Sequence, residues 1–304
     1  MLYPDFNELI AFKDRRSSLR YSSLRSVKSS VHGNHHSPFR GQGLEFDSVR
    51  QYVPGDDIRN IDWRVTARTG SPHLKLFREE RERHLVLCVD MNASMNFGTR
   101  KTFKSIQAAQ AAAILGWQGL SQHDPVSACL FGNVPEGIQF FTPKHGQKSF
   151  CSMLKMLSEP IRERHDIAIN TALHRISQTS QSGSLVYLIS DFMDLDRNIQ
   201  HYEIVLNKLK RRCDLVFIAV NDRADASIHP IGTIGFCANH TEKFYVNTES
   251  IAGREAYAAM WKENRRSLYE IAAAFKIPLI ELTTESDVHR DLILGLKTIA
   301  RRKK

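Results

Sequence analysis

A chain of 304 residues with 42% apolar and 25% charged residues carries enough apolar material for one large core or two modest ones, which excludes wholesale disorder. No apolar run approaches the ~20 residues of a membrane-crossing helix, and the opening MLYPDFNELIAFKDRR lacks the uninterrupted apolar core of a secretory signal. Lys and Arg number 42 against 33 Asp and Glu, a net charge of +9. Part of that excess sits in residues 13–28 and 301–304; no nucleic-acid motif accompanies it, so a solvated basic face is expected rather than a nucleic-acid partner.

In chain order, residues 6–29 read as a helix and HGNHHSPFRGQG (32–43) as a loop. Pro54-Gly55 marks a turn. Asp56 or Asp57 is placed to cap a short helix with Ile58, Ile61 and Val65 on one face, and Leu74 and Leu76 alternate as in a half-buried strand. The rhythm then changes. Residues 84–90 form a buried strand, 101–121 an Ala-rich apolar helix, 125–131 and 137–142 strands, and 147–157 and 171–181 helices. A strand at 184–190, a helix at 198–211 and a strand at 213–220 follow. An extra strand at 242–247, a long helix at 253–275, a strand at 278–282 and a helix at 287–300 complete the chain. Strands alternating with helices predict βαβ crossovers and a mainly parallel sheet covered on both faces, with ligand sites at the carboxyl ends of its strands.

Five cysteines are scattered without a C-x-x-C pair; Cys88, Cys129 and Cys213 fall in or beside predicted strands and are expected as reduced thiols in a core. A reducing, cytoplasmic setting follows from that expectation. The cluster His32, His35 and His36 has no neighbouring Cys or acid to complete a metal site, and Arg78–Arg83 reads as a solvated strand or connector. Ser94 lacks a G-x-S-x-G elbow, and no P-loop is present.

At the end of the first buried strand, DMNASM offers the oxygens of Asp90, Asn92 and Ser94 at alternating positions. Asn170-Thr171 opens a later helix with a hydroxyl, and Ser190-Asp191 closes the next buried strand. Carboxylate, amide and hydroxyl oxygens suit a hard divalent cation, which keeps some of its waters. This set resembles the metal-ion-dependent adhesion site of von Willebrand factor A domains, Asp-x-Ser-x-Ser followed by a Thr and an Asp from later loops. Asp90, Ser94, Thr171 and Asp191 match it, whereas Asn92 stands where the pattern has Ser. The resemblance implies bound Mg²⁺ (Mn²⁺ or Ca²⁺ being the alternatives) with an open position for a partner's carboxylate.

Upstream, GQGLEFDSVRQYVPGDDIRNIDWRVTAR closely resembles the signature of the family called domain of unknown function 58. The match runs through Gly41, Gly43, Phe46, Arg50, Tyr52, Gly55, Asp56, Asp57, Arg59, Ile61, Asp62, Trp63, Thr66, Ala67 and Arg68. The resemblance implies an α/β, von Willebrand factor A-like, doubly wound and mainly parallel sheet over 84–304, with 1–83 as an amino-terminal extension. It also implies a MoxR-type AAA+ ATPase and other von Willebrand factor A-domain proteins as partners, in chaperone-like assembly or maturation of clients. Asp56, Asp57, Arg59, Asp62, Trp63 and Arg68 are candidate partner-binding residues, since Trp and Arg are favoured at binding hot spots; the same residues equally suit an internal network anchored by Trp63. The leading expectation is thus a non-enzymatic adaptor. An Mg²⁺-dependent hydrolase at the same acids and a nucleic-acid binder using the basic surface are the alternatives.

Overall fold

A computed structural model describes residues 3–14, 44–79, 83–142, 147–160, 165–195, 198–237 and 243–302. They fall into two compact units, residues 44–79 forming one and the remaining residues the other. The 32–43 loop with its three histidines, most of the basic 13–28 stretch, and the side chain of Leu76 lie outside the described residues.

In the larger unit, six strands make one sheet: β3 (Leu85–Met91), β4 (Val126–Gly132), β5 (Ile138–Phe141), β6 (Leu185–Ser190), β7 (Asp214–Asn221) and β10 (Leu279–Thr283). Their order across the sheet is β10-β7-β6-β3-β4-β5. All neighbours are parallel except the β4–β5 pair at one edge. Alternation along each strand sends Leu85, Leu87 and Val89 to one core and Val86 and Cys88 to the other. Leu185, Tyr187 and Ile189 divide from Val186 and Leu188 in the same way. These strands read as unbroken apolar runs because both faces are covered. One face meets α3 (Lys104–Ser121), α4 (Lys148–Ser158) and α9 (Val288–Arg302); the other meets α5 (Ile169–Thr179), α6 (Gln200–Arg212) and α8 (Ile251–Ala274). Cys88, Cys129 and Cys213 are buried free thiols, as their apolar settings predict.

The first helix belongs to this unit rather than to an extension ending at 83. Asp5 caps α1 (Phe6–Ala11), whose Leu9 and Phe12 enter the α3 core while the indole N–H of Trp117 donates to the Leu9 carbonyl at 2.9 Å. Burying a Leu or Phe side chain is worth ~1.5–3 kcal/mol, which ties this short helix down. Between β7 and α8 sit a short helix α7 (Arg223–Ala226) and an antiparallel hairpin of β8 (Thr233–Cys237) and β9 (Lys243–Asn247). The 242–247 reading anticipates β9; β8, short and interrupted by Gly235, gives no periodic signal.

The smaller unit is an antiparallel pair, β1 (Leu44–Gln51) with β2 (His73–Glu79), joined through a 3₁₀ turn at Ile58–Asn60 and α2 (Trp63–Thr69). The single helix expected around Ile58, Ile61 and Val65 is therefore split. Ile61 is extended and bridges to Leu74, so Asp57 caps the 3₁₀ turn and Asp62 caps α2 separately. Gly70 closes α2 in the left-handed conformation.

Candidate functional site

Because β3, β4, β6 and β7 run parallel, their carboxyl ends share one edge. The chain leaves β3 towards β4 on one side and later fills in β6 and β7 on the other, so the strand order reverses between β3 and β6; such a switch point is where open α/β sheets place a ligand crevice. Asp90 and Ser190 sit at that switch point, and the Ser190 hydroxyl donates to Asp90 Oδ2 at 2.5 Å. Asp90 Oδ1 accepts the Asn92 amide at 2.8 Å, fixing the turn out of the strand. Asp90 is fully buried. Loss of solvent, then the charges of Asp191 and Asp194, lift its pKa well above the carboxylate range, and the bonds from Ser190 and Asn92 oppose this only in part.

Asn92 has a different task from the ligand role its spacing suggests. Its side-chain N–H donates to the Ile167 carbonyl at 2.9 Å, and its Oδ1 accepts the Ile167 amide at 3.0 Å. Asn is long enough for this two-way bridge, which a Ser at the same position could not make. The bridge joins the β3 loop to the segment entering α5. Gly132 permits the close packing: a Cβ there would lie 2.7 Å from Asn92 Oδ1, and its φ of +105° also favours glycine.

Ser94 and Thr171 are exposed. Thr171 stands in the first turn of α5, where the Ile169 amide donates to Asp194 Oδ2 at 2.8 Å. That bond ties the loop after β6 to α5. Asp194 is exposed as a residue, but its carboxyl is turned inward to this amide. Local loss of solvent, with added repulsion from Asp191 and Asp166, raises it to about 7.

The loop after β6 is tightly held. Phe192 adopts φ 56°, an unusual backbone for a bulky residue, and packs its ring 5.0 Å from Phe217. Asp191 Oδ1 accepts the Met193 amide at 3.1 Å, while Asn264 and Arg265 of α8 donate to the Phe192 and Asp191 carbonyls. Asp191 Oδ2 lies 2.7 Å from the ammonium of Lys104, a buried partner that sequence spacing gives no sign of.

The structure thus brings together the loops carrying Asp90, Asn92, Ser94, Thr171 and Asp191. Asp90, Ser94 and Thr171, with Asp191 in part, retain the chemistry to hold a hard divalent cation: a carboxylate whose burial calls for positive charge, and two hydroxyls on exposed residues of the adjoining loop and helix start. Asn92 is spent on the backbone, and Asp191 is shared with Lys104. Among the described residues, no group of three or more His, Cys, Asp or Glu is placed to hold a metal.

In the smaller unit the acids named as partner-binding turn out to be local braces. Asp56 pairs with Arg50 at 2.6 Å and accepts the Val53 amide; Asp57 caps the 3₁₀ turn; Asp62 caps α2 and lies 3.9 Å from Lys75. Arg59, Arg64 and Arg68 are exposed. Trp63 is no buried anchor but 68% exposed, and Val53 and Ile58 are exposed with it.

The sheet order and the antiparallel edge strand define an α/β fold of the von Willebrand factor A-like class. Within that class, the chain belongs to the family described as "Protein of unknown function DUF58", whose model matches residues 48–267. It is similar to the uncharacterized proteins Rv1480 of Mycobacterium tuberculosis and Mb1516 of Mycobacterium bovis. Each is 27% identical over 280 residues, covering 91% of this chain and 86% of the relative. Among solved structures it is similar to the conserved hypothetical protein BatB from Bacteroides thetaiotaomicron (TM-score 0.42, 13% identity, 72% of this chain and 99% of that one). A von Willebrand factor type A protein from Catenulispora acidiphila is similar at TM-score 0.42 and 12% identity, over 74% of this chain and 43% of that one. Among the described residues, no helix is long and apolar enough to cross a membrane.

Proposed function

We propose that this chain is a non-enzymatic, cytoplasmic protein-binding adaptor that works with a MoxR-type AAA+ ATPase in assembly or maturation of client proteins. Its carboxyl-edge crevice recognises a partner's carboxylate through a divalent cation, Mg²⁺ being the best match to the donors. Asp90 and Asp191 supply charge, Ser94 and Thr171 neutral oxygens, directly or through water, and Asn92 orients the loop. The observation that carries this reading is Asp90, a fully buried acid that its own surroundings leave short of positive charge. A buried carboxylate in that state binds a proton or a cation. The reduced thiols at Cys88, Cys129 and Cys213 support a reducing compartment.

A hydrolase at the same acids has less in its favour. One of the two acids is shared with a lysine, and a single weakly charged metal is a poor activator of water.

The test is capture of a purified MoxR-type ATPase by the tagged chain in Mg²⁺ and in EDTA, for wild type and Asp90→Ala. Capture is expected to fall to background with EDTA and with the variant, while the melting temperature of the variant stays level or rises slightly. Equal capture under all conditions would remove the cation from recognition and leave the Arg59–Trp63–Arg68 surface as the contact.

A further inference from the structure

Lys104, the first residue of α3, is 2% exposed, and its ammonium lies 2.7 Å from Asp191 Oδ2 and 3.3 Å from both carboxylate oxygens of Asp225. Two carboxylates within 3.3 Å are the partners that a buried ammonium needs to keep its charge. Its surroundings are fixed from three sides. Asp225 Oδ2 accepts the Asp222 amide at 2.7 Å within a capping box; Asp222 is in turn held by Thr99 and Thr284; and the Phe97 ring lies 5.6 Å from the ammonium. Lys104 cannot leave for solvent without opening the loops after β3, β6 and β7 together.

From this geometry we infer that Lys104 is a resident cation that holds down the affinity of the crevice for a divalent ion, so that the ion and a partner's carboxylate bind together rather than separately. The inference rests on the reading that Asp90 and Asp191 hold such an ion. A divalent ion at the crevice must share Asp191 with an ammonium that repels it. An incoming carboxylate restores the negative charge that Lys104 has taken up. By linkage, whatever factor the carboxylate adds to cation affinity, the cation adds to carboxylate affinity. Even screened to the dielectric of bulk water, removing a like charge about 4 Å from a divalent ion strengthens its binding by about tenfold or more.

The experiment is Mg²⁺ titration of the full chain by calorimetry, with and without acetate as the carboxylate probe, for wild type, Lys104→Met and Lys104→Met/Asp225→Asn. The double variant removes one of the acids that Lys104→Met leaves unpaired, and it serves if the single variant does not fold. Both variants are expected to bind Mg²⁺ about tenfold or more tighter than wild type and to depend less on acetate. Mg²⁺ should also raise their melting temperatures more than that of wild type. Wild-type binding that Asp90→Ala abolishes, alongside unchanged or weaker binding in the folded Lys104 variants, overturns the inference and spares the site. Absence of Mg²⁺ binding from every protein removes the site and the inference together.

Discussion

At the carboxyl edge of the sheet, Asp90, Asp191, Asp222, Asp225, Lys104 and Arg265 are all buried, and most answer one another across three loops. In the 44–79 unit, Asp56, Asp57 and Asp62 reach no further than a nearby turn, helix end or basic side chain, while Arg59, Trp63, Arg64 and Arg68 face outward. The first arrangement fixes geometry at high electrostatic cost, as a preorganised ligand site does. The second keeps backbone order cheaply and leaves its largest side chains available for contact. Density of fixed sequence spacings therefore follows local folding needs as closely as it follows chemistry. The signature segment is dense in motif residues, yet among its described residues 48–68 none is buried.

The two regions differ most where a buried pair is split. Asp191→Ala leaves Lys104 facing Asp225 alone in a buried site, and such a loss typically costs 3–5 kcal/mol. In the smaller unit no acid substitution should approach that. Urea unfolding of both sets of variants checks the contrast. If Asp191→Ala costs less than about 1 kcal/mol, the Lys104 network is not the strained, interdependent assembly its distances imply.

Acid pH sharpens the same contrast. Asp194 titrates near 7 in the folded chain and near 4 once unfolded, so between those values the folded state holds a proton that the unfolded state has lost. The contribution of this group to stability is greatest below about pH 4, declines as pH rises towards 7, and is level above. Asp90, shifted in the same direction, adds to the trend. Asp194→Asn keeps an acceptor for the Ile169 amide, and it should stabilise the chain at pH 8 with a gain that shrinks towards pH 5. Melting curves across that range measure it; a gain constant with pH would mean Asp194 titrates normally.

Much of this was legible in the sequence. Both-face burial writes unbroken apolar runs, so β3, β4, β6 and β7 and the helices between them stand out, and the strand ends point to Asp90 and Asp191. Pairings between distant polar residues leave no such trace. Lys104 looks like an ordinary helix-opening lysine, and Asn92 looks like an imperfect ligand until Ile167 is seen to face both ends of its amide. Trp63 misleads in the opposite direction. A tryptophan amid charges suggests an apolar anchor, but α2 is only seven residues long and turns Val65 and Thr66, not Trp63, inward. Only the start of the 6–29 helix reading holds, because α1 ends at Ala11 and residues 12–14 form a turn; its membership in the α/β unit depends on Trp117 and the α3 core, more than a hundred residues away.

A smaller effect is expected at the α2 cap. Asp62 Oδ1 accepts the amides of Arg64 and Val65 at 3.0 and 3.1 Å, and removing such a cap costs ~1 kcal/mol. Asp62→Ala should raise amide exchange across residues 63–69 while leaving β3 and β6 protected. Exchange spreading into the sheet would mean that the two units unfold as one.

The smallest expected effect on stability belongs to Trp63, and it discriminates best between contact and scaffold. Truncating a buried Trp typically costs ~3–5 kcal/mol, because a cavity and lost apolar burial add together. Here two thirds of the residue already faces water, so little of either term applies, and a change within about 0.5 kcal/mol is expected for Trp63→Ala. Binding should respond in the opposite measure. An exposed Trp flanked by Arg59, Arg64 and Arg68 has the composition of a hot spot, where truncation removes 2 kcal/mol or more from association. That corresponds to a roughly thirtyfold weaker complex with an acidic partner surface. Unfolding and partner affinity measured on the same preparation separate the cases. A large stability loss with unchanged affinity would make Trp63 a structural residue whose packing the exposed setting conceals. Unchanged stability with a large loss of affinity would make the 44–79 unit a second contact, independent of the cation at Asp90.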